Sequence, residues 1–550
     1  MPGVVRALRA SALYLLLTVA LTWPLAFRLR IMDAGDSAFF AWVMAWEVHA
    51  LKTDPGRLPH GNMFHPLRYT LGMDEPVFGT TILVLPLSLV TDDAVLVFNV
   101  ARLLTFVLSG LTAYLLARSL GADEGPALLA GAAFAFSPIR TDQIAHLSTL
   151  GTQWLPLVLL YLFRFFRLGG TRDALLAALC FVLEALACGY HGVIGLLVLP
   201  VAALPLLWGR WDRLPRAFLG AGAAALGLLP LYLLHRAALA PLRYTRSTEE
   251  TAQFSAAIES FLATSSWNHV WGELTAPFRT VYSNNLFPGL VVTLTVVAGA
   301  VAWRREGRRP GREALALGLM GLAAAAVALG PEVSFFGRDL GPGPFALARL
   351  LPLFRMIRVP SRSGAFIALA LAMLAALAWT RWRLRGARLA VVAAAAVAET
   401  VIAPIPLPGW AQVVDSRQPP PPVYAWIAAQ PGDPVVAELP MQGIEGIVTR
   451  PAFHESIYLV RSTRHWKRLV NGYAGIEPPP YLELREAVRR FPSEAALDAL
   501  RRRGVRFVVL HRGGYGPLKW ERIERDLPLF AGRLREAARF DGDTVYELMP

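Results

Sequence analysis

Residues 30–51, RIMDAGDSAFFAWVMAWEVHAL, follow directly on the first long apolar run of the chain. From Ser37 to Leu51 this stretch has no glycine or proline, and its large apolar side chains recur at spacings of three and four residues, which predicts one helix with a wide aromatic face. A helix of this kind is expected to lie in the interface of a membrane. That interpretation accounts for the aromatic residues, but it leaves Asp33 and Asp36 unexplained.

The composition is that of a protein that crosses a membrane several times. Of the 550 residues, 55% are hydrophobic and only 17% are charged, and the mean hydropathy is +0.44, which excludes a typical soluble enzyme. The net charge of +14 does not indicate nucleic-acid binding, because the arginines cluster between apolar runs, as membrane topology requires. Cys180 and Cys188 lie in one apolar run and are interpreted as small core residues rather than as a disulfide or a metal pair.

Several apolar runs are long enough to cross about 30 Å of hydrocarbon. They are residues 11–29, 94–117, 148–163, 173–189, 192–208, 216–235, 286–303, 313–330, 364–380 and 387–405, and a shorter run at 125–138 is expected to cross as well. The first run is interpreted as a retained span, since the following sequence, TWPLAFRLR, contains no small-residue cleavage site. We therefore predict an α-helical polytopic membrane protein with about eleven transmembrane helices.

The arginines also predict the orientation of the chain. If residues 77–91 do not cross the bilayer, the later basic turns fall on the same side as Arg6 and Arg9, which the positive-inside rule places in the cytoplasm. Residues 77–91 are short for a span and contain Pro86, so we interpret them as a re-entrant or interfacial helix. The N-terminus is then inside, the C-terminus is outside, and residues 31–76 form the first outer loop.

The composition changes after residue 405. The sequence PPPP at 419–422 marks a linker, and beyond it the pattern predicts a strand in PVVAELP, a helix in PSEAALDALRRRG and a strand in VRFVVLH. Ser493 is the expected N-cap of that helix and Gly504 its expected end. We therefore predict two domains, a transmembrane domain over residues 1–405 and a small extracytoplasmic α/β domain over residues 406–550.

Charged side chains at membrane level are costly, so those outside the basic cytoplasmic turns require an explanation. Most of those in the predicted outer loops come from short turns between spans, and we expect them to converge on one cavity at the outer surface. They include Asp33, Asp36, Asp74, Glu75, Arg140, Asp142, His146, His191, His269, Arg355, Arg358 and Arg362, and the same loops hold Tyr190 and Trp267. Arg102 and Glu184 lie within apolar runs, where they either pair with each other or line the cavity.

Four segments carry a resemblance to a known superfamily. The stretches GDSAFFAWVMAWEVHAL, SPIRTDQIAHLSTLGTQWLPL, RVPSRSGAF and HWKRLVNGYAG resemble segments of bacterial membrane proteins grouped with the GT-C superfamily of polyprenyl-phosphate-sugar-dependent glycosyltransferases. An aspartate just past the first span, a long first outer loop and an outer C-terminal domain resemble the same superfamily, which includes protein O-mannosyltransferases, aminoarabinose transferases and oligosaccharyltransferases. The resemblance covers most of the chain, and it implies a location in the bacterial cytoplasmic (inner) membrane.

The resemblance implies a role for Asp36. In such transferases an acidic residue of the first loop acts on the acceptor, as a base or by holding it, and Asp36 is the matching position. A hydroxyl or amine must lose its proton as it attacks the anomeric carbon, and a carboxylate within hydrogen-bond reach takes that proton. The alternative is that Asp36 caps the helix that begins at Ser37. Asp33 is a competing carboxylate, whereas Glu47 lies about 16 Å along the helix from Asp36.

A second carboxylate is expected from the sequence LGMDEPVFG. Glu75 is interpreted as a catalytic acid that assists Asp36, and the alternative is a solvated charge before Pro76. Asp36 with Asp74 or Glu75 would also supply oxygen ligands for a divalent cation, Mg²⁺ or Mn²⁺. Because these acids have no fixed spacing, the sequence leaves a metal requirement open.

The donor in this superfamily carries a phosphate, which arginine can bind through two oxygens at once. In LFRMIRVPSRSG, Arg355, Arg358 and Arg362 precede a span that begins outside, where the positive-inside rule disfavours them. We interpret them as the phosphate site, and the alternatives are contacts with anionic lipid headgroups or with outer carboxylates.

Other residues are weaker candidates. Arg140, His146 and His191 are further substrate-binding candidates, although a lone histidine is more often structural. In RSTRHWKRLVNGYAG, Trp466 and Tyr473 suit either sugar binding or docking of the C-terminal domain.

The predicted function is that of a membrane glycosyltransferase that moves a sugar from a polyprenyl-phosphate donor to an acceptor glycan, lipid or protein at the outer face of the membrane. One alternative is a transporter or lipid flippase, which would have internal repeats, broken helices and paired intramembrane charges. Another is a non-catalytic protein of envelope assembly. The expected partners are membrane lipid, the lipid-linked donor and the acceptor, with no nucleic acid.

Overall fold

Each apolar run predicted to cross the membrane overlaps an α-helix in a computed structural model of the chain, which describes residues 2–280, 282, 284–307, 309–405, 413–442 and 454–549. The helices up to residue 405 are α1 (Pro2–Leu21), α2 (Asp36–Thr53), α3 (Phe78–Ser88), α4 (Ala94–Ser119), α5 (Glu124–Ala135), α6 (Pro138–Thr141), α7 (Leu147–Leu150), α8 (Leu155–Leu168), α9 (Thr171–Ala187), α10 (Gly189–Leu207), α11 (Leu214–Leu239), α12 (Thr248–Gln253), α13 (Leu290–Arg305), α14 (Arg312–Ala328), α15 (Phe345–Ala348), α16 (Gly364–Arg381) and α17 (Gly386–Ala398). In the described ranges, six helical stretches are long and apolar enough to cross a membrane. The chain is therefore a multi-pass membrane protein, and the count of about eleven spans stays a prediction.

The bundle is held together by helices that approach closely at small residues. Helix α4 packs against α1, α5 and α8, and α16 packs against α5, α13 and α14. The buried ring of Tyr14 lies against Gly110 and Gly131, where a Cβ atom would meet the ring or its hydroxyl group. Its hydroxyl donates to the carbonyl of Leu128 at 3.0 Å. This is the packing of small residues that lets helices associate within a bilayer.

The aromatic face of α2 is covered by protein. Phe39, Trp42 and Trp46 are all buried, and α2 packs against a helix of the C-terminal region, α19 (His454–Ser462). Trp466 stacks on His49 with ring centroids 4.2 Å apart. The expectation of a helix lying in the membrane interface is therefore wrong. A wide aromatic face buries equally well against lipid or against a protein surface, so the pattern alone did not distinguish them.

Helix α3 is attached to α2 through Glu47. The carboxylate of Glu47 accepts the backbone N–H of Val77 at 3.2 Å and the hydroxyl of Thr81. It thereby accepts the backbone N–H of the N-cap residue of α3, one of the donors that a helix leaves without an internal partner, and a hydroxyl from the first turn. Helix α3 has 11 residues and contains Pro86, as expected for a segment too short to span a bilayer.

The C-terminal region is built around a mixed β-sheet. Its helices are α18 (Pro422–Ala428), α19, α20 (Pro479–Val488), α21 (Glu494–Arg502) and α22 (Pro517–Asp526), and the strands of the chain are β1 (Ile31–Asp33), β2 (Glu332–Phe335), β3 (Arg338–Pro342), β4 (Val413–Asp415), β5 (Val435–Leu439), β6 (Arg468–Leu469), β7 (Val505–His511), β8 (Leu534–Arg539) and β9 (Asp543–Leu548). The five-stranded sheet has the order β6-β5-β7-β9-β8. Strand β5 is parallel to β6 and β7, and β9 is antiparallel to β7 and β8. The predicted strands β5 and β7 and the predicted helix α21 are present, and the Ser493 side chain caps α21 as expected.

The C-terminal region and the first loop share one hydrophobic core. Side chains of α2 and of the loop after it cluster with those of β5, β7 and β9, and β4 pairs antiparallel with β1 beside the start of α2. The predicted domain boundary after residue 405 falls on residues 406–412, which lie outside the described residues. The shared core means that the C-terminal region is packed onto the loop that carries Asp36.

The two charges inside apolar runs do not pair with each other. Arg102 of α4 contacts Asp33 at 3.2 Å and the Ser37 hydroxyl. Glu184 of α9 contacts His191 at 2.7 Å, and both side chains are buried. Asp33 is thereby assigned to holding the β1–α2 junction, since a buried guanidinium needs a compensating carboxylate.

A charge cluster inside the C-terminal sheet gives a pH prediction. Burial alone would lower the pKa of His511, but its hydrogen bonds to Asp543 and Glu438 outweigh burial and raise that pKa to about 9. A histidine whose pKa rises on folding stabilises the fold fully below its ordinary value of 6.5 and loses that contribution as pH rises through about 9. We expect His511→Gln to destabilise the protein by about 3–5 kcal/mol near pH 6 and by much less near pH 10. Thermal unfolding of both proteins across this range measures the difference, and parallel pH profiles would refute it.

Candidate active site

A cavity of about 1620 Å³ lies at one end of the helix bundle. It is enclosed by the first loop, the ends of α10 and α11, the segment between α15 and α16, and the segment after β6. Of the predicted site residues, Asp36, Asp74, Glu75, Arg140, His146, Arg358 and Arg362 line it. The structure thus brings the first-loop acids and two of the three predicted phosphate-binding arginines into one space.

Asp36 is the first residue of α2, and its side chain does not cap the helix. The N-cap position is Gly35, and the helix has no side-chain cap. Instead, one Asp36 oxygen lies 2.8 Å from His146 Nε2, and the other accepts the Tyr473 hydroxyl at 2.9 Å. The capping alternative is therefore wrong, because the carboxylate points away from the free backbone N–H groups of its own helix.

The charge state of Asp36 follows from these contacts. Burial acts to raise its pKa, but the interactions with His146, Tyr473 and Arg362 outweigh burial and lower the pKa to about 2. The carboxylate is therefore ionised throughout the physiological pH range. An ionised carboxylate that lines a cavity can accept a hydrogen bond from an incoming hydroxyl or amine.

Asp74 binds the C-terminal segment to the first loop. Its carboxylate accepts backbone N–H groups of Glu75 and Gly475. Burial raises the pKa of Asp74 to about 6, although both hydrogen bonds act to lower it. Together with the Tyr473 contact to Asp36, this places residues 473–475 in the wall of the cavity.

Arg362 and Arg358 are each held between a carboxylate and an aromatic ring. Arg362 contacts Glu75 at 3.0 Å and lies 4.3 Å from the ring centroid of Tyr190. Arg358 contacts Glu250 at 3.0 Å and lies 4.2 Å from the ring centroid of Phe254. In each case the carboxylate binds one edge of the guanidinium group and the aromatic ring covers one face. The remaining N–H groups are left to bind the oxygens of an anionic ligand.

Glu75 is paired with Arg362 and is not exposed to bulk solvent. It is buried, and besides the ion pair it accepts the backbone N–H of Tyr190 at 2.9 Å. The alternative of a solvated charge before Pro76 is therefore wrong. Its contacts favour a role in orienting Arg362 over a role as a proton donor.

Three other predicted site residues have structural contacts. Arg355 is outside the cavity lining, and its guanidinium donates to the backbone carbonyls of Arg349 and Leu350. Arg140 is buried and donates to the carbonyls of Ala135 and Leu150 and to the Ser109 hydroxyl. His191 is paired with Glu184. Arg140 and His191 are buried, whereas Arg355 is exposed, and the contacts of all three are with the protein's own backbone or side chains.

Arg246, Glu250 and Phe254 line the cavity and were not predicted from the sequence, whereas Tyr190 was among the outer-loop residues expected there. Glu250 joins Arg358 to Arg246, which contacts the same carboxylate oxygen at 2.9 Å. Tyr190 and Phe254 supply the rings against the two arginines. The i,i+4 pair of Arg246 and Glu250 in RSTEE was the one local pattern that could have indicated a built charge site.

One side of the cavity is apolar and reaches the surface of the bundle. Its lining includes Leu196 of α10 and Tyr232 of α11, which are 44% and 50% exposed. Helix α11 lies at the edge of the bundle, because only 11% of its most apolar stretch is buried in protein. The cavity therefore opens toward the surface that faces lipid in a membrane.

The three carboxylates Asp36, Asp74 and Glu75 do not form a metal site in this arrangement. Across the described residues, no group of three or more His, Cys, Asp or Glu side chains is placed to hold a metal ion. Each of the three already has partners that occupy its oxygens. The metal requirement that the sequence left open stays a prediction.

Comparisons with known proteins agree with this architecture. Residues 62–399 match the family model described as a domain of unknown function, DUF6311. No curated protein matches the sequence.

Solved structures of low sequence identity share the fold. The arabinofuranosyltransferase AftD from Mycobacteria has a TM-score of 0.59 at 17% identity, covering 99% of this chain and 40% of that one. The archaeal oligosaccharyltransferase AglB from Archaeoglobus fulgidus, in complex with an inhibitory peptide and a dolichol-phosphate, has a TM-score of 0.54 at 13% identity, covering 99% and 74%. ArnT from Cupriavidus metallidurans has a TM-score of 0.51 at 13% identity, covering 100% and 98%. The chain thus spans well under half the length of AftD.

These neighbours are GT-C glycosyltransferases, so the resemblance stated from the sequence is confirmed at the level of the fold. The family model covers more than half of the chain. The chain has the GT-C fold and belongs to the DUF6311 family.

Proposed function

We propose that this protein is an integral membrane glycosyltransferase that moves a sugar from a polyprenyl-phosphate donor to an acceptor at the outer face of the cytoplasmic membrane. One observation carries the proposal: an ionised carboxylate, Asp36, and two preoriented arginines, Arg358 and Arg362, line a single cavity that opens toward lipid. A lipid-linked donor needs an apolar path for its tail and cations for its phosphate, and a nucleophile needs an acceptor for its proton.

The proposed step uses the chain's own side chains. The acceptor's hydroxyl or amine attacks the anomeric carbon while the bond from that carbon to the phosphate oxygen breaks. Asp36 takes the acceptor's proton, and the phosphate oxygen leaves with the bonding electrons as polyprenyl phosphate. The pKa of Asp36 is about 2, so its carboxylate is ionised and accepts a hydrogen bond from the hydroxyl or amine of the acceptor substrate. It takes that proton only as the new bond to the anomeric carbon forms.

The leaving phosphate is assigned to Arg358 and Arg362. Each is already fixed by a carboxylate and a ring, so little side-chain entropy is lost when the phosphate binds. Glu75 is proposed to hold Arg362 in place, in preference to the role of assisting acid expected from the sequence. His146 is proposed to orient Asp36.

The orientation is part of the proposal. The N-terminus lies in the cytoplasm, and the cavity and the C-terminal region lie outside, as the arginine distribution predicts. On that side a nucleotide-sugar donor is not expected, and a lipid brings both the sugar and its leaving group. The proposal takes no step through a metal ion.

The experiment is release of lipid phosphate by the purified protein in lipid nanodiscs. A polyprenyl-phosphate donor with a radiolabelled sugar is supplied together with a cell-envelope acceptor fraction. The proposal expects equal amounts of transferred sugar and free polyprenyl phosphate. Movement of intact donor across a vesicle membrane without release would instead support a flippase, and donor left unchanged by protein of native stability would contradict the transferase.

A change at Tyr473 tests whether the C-terminal segment orients Asp36. Tyr473→Phe keeps the ring against Phe39 but removes the hydroxyl that donates to Asp36. We expect turnover to fall about 5- to 15-fold with the KM for the donor unchanged, since one hydrogen bond to a charged group is lost. The matched control is Tyr458→Phe, whose hydroxyl donates to the Pro440 carbonyl away from the cavity. An equal loss in both variants would indicate a general effect on the fold.

A further inference from the structure

Two further arginines line the cavity besides Arg358 and Arg362. Arg236 near the end of α11 and Arg243 just after it both line the cavity and are both exposed. Within the described part of the chain, neither side chain has an ion pair or a side-chain hydrogen bond. They stand beside the apolar lining of α11, on the side of the cavity that opens to lipid.

The end of α11 is fixed against the first loop. His235 Nδ1 lies 2.8 Å from the carbonyl oxygen of Gly72. A Cβ atom at Gly72 would come within 2.8 Å of the Leu234 carbonyl oxygen, so the two backbones are in close contact. The position of Arg236 relative to the first loop is therefore set by backbone packing and does not depend on a flexible turn.

The two groups of arginines differ in their charge balance. Arg246, Arg358 and Arg362 have Glu75 and Glu250 as ion-pair partners, and Arg362 also interacts with the ionised carboxylate of Asp36, so three positive charges are balanced by three negative ones. Arg236 and Arg243 contribute +2 with no carboxylate paired to them among the described residues. A cluster without excess positive charge is less suited to a dianion than to a monoanion, whereas two unpaired positive charges complement a dianion.

The proposed reaction increases the negative charge of the phosphate. The donor is a phosphodiester with one negative charge. When the bond to the sugar breaks, the leaving oxygen stays on phosphorus and the product is a phosphate monoester, which carries a charge of about −1.5 to −2 near pH 7. The product therefore has more charge than the donor site compensates.

We propose that Arg236 and Arg243 form a product site that binds the phosphate monoester of the released polyprenyl phosphate and draws it from the reacting cluster toward the lipid. The ligand class is a phosphate monoester on a long apolar chain, whose tail lies along the apolar side of α11. This inference rests on the proposed function for the identity of the product. The inference that Arg236 and Arg243 bind a phosphate monoester rests only on the residues that line the cavity.

The test compares two probes that differ in charge. Farnesyl phosphate is the monoester and methyl farnesyl phosphate is the diester, and binding of each is measured to the full-length protein in nanodiscs of neutral lipid at about pH 8. We expect R236Q/R243Q to weaken farnesyl phosphate binding about tenfold or more, since two charge-assisted contacts are removed. Diester binding should stay within about twofold of the native value. R355Q, an exposed arginine outside the cavity, is the control for surface charge.

Competition identifies the source of the phosphate. Phosphatidylglycerol is a diester on a lipid and inorganic phosphate is a dianion without a tail, and the proposal expects neither to displace farnesyl phosphate effectively. Equal displacement by phosphatidylglycerol would make this a headgroup site and overturn the proposal, as would equal loss of monoester and diester binding in R236Q/R243Q. Because binding needs no turnover, selective monoester binding by a protein without transferase activity would reject only the proposed function. Turnover with no such selectivity would reject only this inference.

Discussion

Replacing Asp36 with asparagine is expected to lower sugar transfer by about 10²- to 10⁴-fold, the range over which a positioned acid or base contributes to a reaction. Asparagine keeps an oxygen that can accept the Tyr473 hydroxyl, so the wall of the cavity should be retained. What it removes is the ionised group that receives the acceptor's proton. Initial rates of transfer with the purified variant, and its melting temperature, give the two quantities needed.

The control for Asp36→Asn comes from the same loop. Asp54 receives the same substitution, but its carboxylate accepts a local backbone N–H from Gly56 and does not line the cavity. We expect Asp54→Asn to have native activity. A stable Asp36→Asn variant with unchanged turnover would reject the role of Asp36 as base.

The second large effect is expected at Arg362. Arg362→Gln removes the guanidinium that contacts Glu75 and faces the proposed phosphate, and donor affinity should fall about 10- to 100-fold, as expected when contacts to a charged group are lost. Binding of a donor analogue, measured without acceptor, reports this loss directly. Arg355→Gln changes the same residue type in the same segment outside the cavity, so its donor affinity should be native.

Glu75 gives a further distinction between two roles. If Glu75 orients Arg362, Glu75→Gln should weaken donor binding in the same direction as Arg362→Gln. If Glu75 is an assisting acid, the same variant should bind the donor normally and turn over slowly. The ion pair and the backbone N–H of Tyr190 on its other oxygen favour the first outcome.

The helical part of the fold follows from hydrophobicity alone. Runs of apolar residues must fold as helices in a bilayer because their backbone groups have no other partner there, and each predicted run overlaps such a helix. The strands β5 and β7 and the Ser493 cap of α21 could also be predicted, because each depends on residues close together in the sequence. The burial of α2 was not, since a partner surface more than 400 residues away leaves no trace in the spacing of α2.

The candidate site could be predicted only in part from the sequence, because it also depends on contacts between residues that are far apart in the chain. The resemblance pointed to Asp36, residue type and position pointed to Arg362, and both line the cavity. Asp33 and Asp36 have similar sequence contexts, and only the fold shows that Asp33 is committed to Arg102. Likewise, Glu250 and Tyr473 come to the cavity through tertiary packing, so no motif around them could identify their partners.

The central claim is that the donor phosphate and the acceptor's nucleophile meet between the two arginines and Asp36. A cryo-EM structure with a stable phosphonate analogue of a polyprenyl-phosphate sugar tests it most directly. The account predicts the phosphonate oxygens within about 3 Å of the Arg358 and Arg362 guanidinium nitrogens, the anomeric carbon on the Asp36 side and the tail along α11. Density for the phosphonate elsewhere on the protein, with this cavity empty, would contradict the account.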